Sequence, residues 1–115
     1  MRAILVACTP MTTTTIVKEV DIKTYKDYYP LLGCNTFDVV MVQWEGKDIS
    51  IFLDDEGLMK PNHGRLVQGY HEPLFGNLVI CGGVDVEGET LPLDNLFTSE
   101  TIQNYMTGIM YEIAR

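Results

Sequence analysis

The chain has 115 residues, 46% hydrophobic and 21% charged, the size of a single domain over residues 1–115 with enough apolar surface for a core. Its formal net charge of −8 argues against a general nucleic-acid binder, because neutralising phosphates takes a basic face. No run approaches the roughly 20 consecutive apolar residues that a membrane-spanning helix needs.

The N-terminal run MRAILVACTP is shorter than a secretory apolar region and lacks a convincing cleavage site. It is expected to be a first strand, Arg2 to Cys8, in a cytoplasmic protein. Thr12 to Val20 continues with β-branched residues and reads as an adjacent strand. Asp21 is a candidate N-cap for a short helix in which Ile22, Tyr25, Tyr28, Tyr29 and Leu32 fall near helical spacing and Gly33 supplies the stop. Phe37 to Trp44 is apolar on both faces, as a central strand is. The Glu45–Asp48 turn leads into Ile49–Leu53, which alternates, making a hairpin closed by Asp54-Asp55-Glu56-Gly57. From Leu58 to Gly76 no period is sustained, and a long connection in a small domain is more often functional than idle. Leu78 to Val86 returns to strand character, with Gly82-Gly83 marking a bulge or a close approach to the backbone. Finally, Ile102, Tyr105, Met106, Ile109, Met110 and Ile113 recur at helical spacing behind a Thr98 or Ser99 cap, predicting a C-terminal helix packed on the sheet. The expected fold is α+β: a mostly antiparallel sheet of about five strands with two helices.

Several patterns carry weak chemistry. Asp54-Asp55-Glu56 offers hard oxygen ligands but lacks the alternate spacing of a calcium loop, so a solvated turn with a left-handed Gly57 is favoured. Cys8, Cys34 and Cys81 are odd in number and widely spaced, which favours free thiols over a disulfide frame or a zinc site. Cys81 lies in an apolar strand and Cys34 just beyond a helix end, poor settings for a nucleophile served by His63 or His71. Those two histidines indicate no third metal ligand. No cofactor motif is present, and Gly82-Gly83 is too short for a dinucleotide fingerprint.

The best candidate is the loop Lys60, Asn62, His63 and Arg65, followed by Tyr70 and His71. Arginine grips phosphate or carboxylate with two prongs, asparagine can read a base edge, and tyrosine can stack on a ring. In an acidic chain these donors suit an anionic small molecule. The alternative is that Arg65 pairs with Asp55 or Glu56 and pins the loop.

The segment Ile49 to Gly82 also resembles the domain of unknown function 3846 family of small phage and mobile-element proteins. The likeness is carried by an apolar strand, Asp55-Glu56-Gly57, Pro61-Asn62, Arg65 and the strand Leu78-Val79-Ile80-Cys81-Gly82. It implies a phage or mobile-element accessory protein, and such proteins often act in counter-defence. Two functions are therefore expected ahead of an enzyme. One is sequestration of a nucleotide-derived anion around Asn62, Arg65 and Tyr70. The other is inhibition of a host nuclease, restriction or CRISPR system through an acidic surface. A homo-oligomer is expected, sharing apolar surface at Tyr28, Tyr29, Trp44 and the Met106/Met110 face.

Overall fold

The computed structural model describes residues 1–8, 14–57, 64–107 and 110–113. Strands β1 (Arg2–Cys8) and β2 (Thr14–Asp21) are followed by a 3₁₀ turn (Tyr25–Asp27) running into helix α1 (Tyr28–Leu32). Then come β3 (Phe37–Trp44), β4 (Lys47–Asp54), β5 (Gly64–Val67), β6 (Leu74–Phe75), β7 (Leu78–Gly82), β8 (Met106–Thr107) and β9 (Met110–Ile113). A six-stranded sheet has the order β3-β4-β7-β1-β2-β9, and a three-stranded sheet the order β6-β5-β8. All pairings are antiparallel except β2 with β9.

Both faces of the large sheet are covered. One carries Ile4, Val6, Val17, Trp44, Ile49, Ile51, Leu78 and Ile80, packed against Val67, Leu74, Phe97, Ile102 and Met106 from the small sheet and the 91–106 segment. The other carries Ala3, Leu5, Phe52, Val79 and Cys81 beneath Ile22, Tyr28 and Leu32. Strand β7 is buried along its whole length, which is why it reads as an unbroken apolar run. Gly82 in this strand answers to a close approach, since a Cβ there would collide with the Pro92 carbonyl oxygen.

The α+β class and the mostly antiparallel pairing are as the sequence implies, but the helices differ. Among the described residues α1 is the one α-helix, and no helix is long and apolar enough to cross a membrane. Thr24 caps the 3₁₀ turn that leads into it, in a capping box with Asp27, while Asp21 ends β2 with its carboxylate on the N-terminal ammonium. Gly33 does terminate it, at φ 65°.

The expected C-terminal helix is replaced by a 3₁₀ turn at Ile102–Tyr105 and the strands β8 and β9. Gly108 interrupts the run, and glycine costs about 1 kcal/mol against alanine inside a helix. The β-branched and aromatic residues around it favour extended chain, so pairing with β2 and β5 prevails over the helical spacing. Met106 is buried as expected; Ile109 lies outside the described residues.

Strand β3 matches its expected limits but lies at the sheet edge rather than in its centre. Val42 and Trp44 are buried on one face while Val39 and Met41 are exposed on the other. Trp44 stacks on Tyr105 with ring centroids 4.8 Å apart, and Tyr28 stacks on Phe52 at 4.2 Å. Tyr28, Trp44 and Met106 are thus consumed by the core of one protomer and are not surface to share with a second copy.

Candidate functional site

The acidic turn after β4 is built by side-chain caps. Asp54 accepts the Glu56 N–H at 2.9 Å, and Asp55 accepts the Thr36 hydroxyl. Gly57 is absent from the left-handed residues; glycine is needed there because a Cβ would lie 2.7 Å from the Phe75 carbonyl oxygen. Among the described residues no group of three or more histidine, cysteine or acidic side chains is placed to hold a metal.

A second tight turn follows β5. Gly69, at φ 89°, reverses the chain so closely on β3 that a Cβ would sit 3.2 Å from that of Val42, and such a φ favours glycine. The Tyr70 N–H closes the turn on the Val67 carbonyl at 3.1 Å, and Trp44 Nε1 donates to the Gln68 carbonyl at 2.8 Å. These bonds hold Tyr70 and the Glu72-Pro73 segment over the far end of the β3–β4 hairpin.

Between them lies a cleft of about 510 Å³. Val40, Leu53, Leu74 and Phe75 supply its apolar lining, Tyr70 and Pro73 its wall, and Asp38, Asp54, Asp55 and Glu72 its carboxylates; among the described residues no lysine or arginine lines it. An apolar cavity with a few convergent polar groups is the usual form of a binding site. Among the described lining residues the groups able to carry a charge near neutral pH are all acids.

Of the expected site residues, Arg65, Tyr70 and His71 are described. Lys60, Asn62 and His63 lie outside the described residues. Tyr70 lines the cleft; His71 is exposed, its ring 4.9 Å from that of Tyr70 and its Nε2 3.7 Å from Glu72 Oε1. Arg65 does not pair with Asp55 or Glu56. Its side chain is only 1% exposed, and Nη1 donates to the Gly76 carbonyl at 2.7 Å. Nε and Nη2 have no hydrogen-bond partner. The strand β5 is twisted so that Arg65 and Val67 face inward while Leu66 is 51% exposed, the opposite of what hydrophobicity alone assigns.

The cysteines are placed for packing. Neither Cys34 nor Cys81 is in a disulfide. Burial pushes the Cys81 thiol up to about 11, although its contact with the Tyr28 hydroxyl at 3.6 Å acts the other way. A thiol held that high is almost wholly protonated at neutral pH and is a poor nucleophile. The same burial, followed by the Cys81 contact, raises the Tyr28 phenol far above its ordinary value.

A family model described as Domain of unknown function (DUF3846) matches residues 1–107. The chain belongs to the DUF3846 family. No curated protein and no solved structure matches it. The family description names no activity, so the cleft has to be read from its chemistry. Of the DUF3846 residues lining it, Asp38, Leu53, Glu72, Leu74 and Phe75 were not expected from sequence. The available signals were an aspartate interrupting the apolar run of β3 and an acid placed directly before Pro73.

Proposed function

We propose that the protein is a non-enzymatic binding protein, a phage or mobile-element counter-defence factor that acts in the host cytoplasm. In this reading the acidic cleft holds a basic segment of a host nuclease, restriction or CRISPR protein. The observation that carries it is the lining of the cleft, with carboxylates at Asp38, Asp54, Asp55 and Glu72 around an apolar floor. Lysine and arginine side chains fit such a site well, because their stems bury against apolar surface while their charges meet the acids. The net charge of −8 would steer a basic partner towards it.

One observation favours a second reading, the sequestration of a nucleotide-derived anion. Arg65 keeps a permanent charge in the interior with two nitrogens unpaired, and a guanidinium in that state favours an anion.

Calorimetric titration with an arginine- and lysine-rich peptide tests the first reading. The peptide should bind with an affinity that falls as salt rises. The triple variant Asp38→Asn, Asp55→Asn, Glu72→Gln should weaken binding roughly tenfold, since exposed charge pairs contribute about 0.2–1 kcal/mol each. Equal peptide affinity in the two proteins overturns the acidic-cleft reading. Heat with cyclic dinucleotides or ADP-ribose derivatives, lost in Arg65→Met, would establish the second.

A further inference from the structure

Among the described residues no strand pairs with the outer edge of β3, eight residues long, and the Gly69 turn approaches it near Val42 and Gln43. Its sequence, Phe37-Asp38-Val39-Val40-Met41-Val42-Gln43-Trp44, contains no proline and no lysine, the usual protections of an exposed edge. Which backbone groups face outward follows from the hairpin. Glu45 and Gly46, at φ 54° and 74°, form a two-residue turn that makes Trp44 and Lys47 its first cross-strand pair. In such a turn that pair is hydrogen-bonded and bonding alternates from there. Val42, Val40 and Asp38 therefore bond to β4, while Phe37, Val39, Met41 and Gln43 direct their N–H and C=O groups away from it. The Val39 N–H agrees, because its acceptor is the Asp38 carboxylate at 2.8 Å and not β4.

The same edge carries two exposed apolar side chains, Val39 at 42% and Met41 at 47%. They lie on the α1 side of the sheet, next to Phe37, whose ring is 5.1 Å from that of Tyr29.

We infer that the protein forms a two-fold dimer in which the β3 strands of two copies pair antiparallel, with Val40 of one protomer opposite Val40 of its partner. Residues directly opposite must share a face, so the position numbers of each pair sum to an even value. Centred on Val40, the register sets Val39 against the second copy's Met41, and Met41 against its Val39, as hydrogen-bonded pairs between outward-facing groups. Four exposed apolar side chains then meet between the two α1 helices. Centring on Met41 instead would spend Val39 on Gln43, and centring on Val39 would leave Val42 and Gln43 unpaired, both of which the Val40 register pairs. The chosen register also separates the two Asp38 carboxylates by four residues, about 14 Å, beyond the screening length of about 8 Å at physiological salt.

Asp38 and Val40 line the acidic cleft, so two clefts would adjoin across the axis on one face of a continuous twelve-stranded sheet, twice the six strands of each protomer. The dimer itself does not depend on what the cleft binds.

Sedimentation of the full chain across micromolar to high micromolar concentrations should show a monomer–dimer equilibrium. Met41→Lys and Val39→Lys, both at exposed positions, should be monomeric with unchanged circular dichroism. Asp38→Ala, which releases the Val39 N–H, should tighten the dimer several-fold. Val40→Cys should form an intermolecular disulfide under mild oxidation much faster than wild type, because a non-bonded pair holds its Cα atoms about 4.5 Å apart, within disulfide range. A monomer at every concentration, or a dimer indifferent to both lysine variants, overturns the inference. Cross-linking by Met41→Cys in place of Val40→Cys overturns the register.

Discussion

Arg65→Met isolates the cost of the interior guanidinium. Methionine reproduces the length and much of the volume of the side chain without its charge. What is lost is one charge-assisted hydrogen bond, Nη1 to the Gly76 carbonyl at 2.7 Å, of roughly 1.5–3 kcal/mol. What is relieved is the burial of a full charge that is 1% exposed, with Nε and Nη2 unpartnered and no ion pair among the described residues. The effective penalty for burying one ion is several kcal/mol, and replacing buried ions by apolar residues is often neutral or stabilising by about 1–4 kcal/mol. The expected balance is a gain of about 1 kcal/mol, which raises Tm by roughly 4–8 °C in a domain near this size. Thermal melting by circular dichroism, wild type beside Arg65→Met in a buffer free of phosphate and sulfate, reads it directly. A fall in Tm of several degrees would refute the reasoning, because it would mean that the guanidinium is well satisfied in solution. If adding phosphate then stabilises wild type and not the variant, the partner is an anion.

Met106→Asp should lower stability by several kcal/mol, since Met106 is 3% exposed at the join between the sheets and the new charge has no partner there; urea denaturation measures it. Gly82→Ala should cost at least about 2 kcal/mol by the same assay. It drives a Cβ onto the carbonyls of Leu91 and Pro92 and strains the bond from the Gly82 N–H to Leu91 at 3.0 Å. The Asp27 carboxylate is held below its ordinary range by hydrogen bonds from the Lys23 and Thr24 N–H groups. Its contribution is therefore complete above the unfolded value of about 4 and disappears as pH falls through the lower folded value. Asp27→Asn should flatten the acid side of the Tm–pH profile, and an unchanged profile would deny the cap that role.

Where local chemistry decides the structure, the sequence was readable. The limits of β3, the hairpin after it, the Gly33 stop and the close approach at Gly82 each follow from a turn residue or an uninterrupted apolar run. The C-terminal stretch was misleading because Ile102, Tyr105 and Met106 do face the core, but through a 3₁₀ turn entering a strand. An apolar stripe reports which residues are inside; it does not report the backbone that brings them there. The edge position of β3 had no local signal either. Phe37 is covered by α1 aromatics and Val42 and Trp44 by the second layer, so both faces look apolar even though Val39 and Met41 are not covered.

The acidic cleft escaped the sequence for a more general reason. Its carboxylates come from β3, from the turn after β4 and from the loop before β6, and only the packing of the small sheet on the large one brings them together. Residues this far apart in sequence carry no local signal of a shared surface. At β5 one residue sets the outcome. Successive side chains alternate in direction, and with Val67 fixed in the core, Arg65 must face inward and Leu66 outward. The fold thus accepts an exposed leucine and an interior arginine to keep Val67, Leu74 and Met106 packed, which is the trade that Arg65→Met puts to the test.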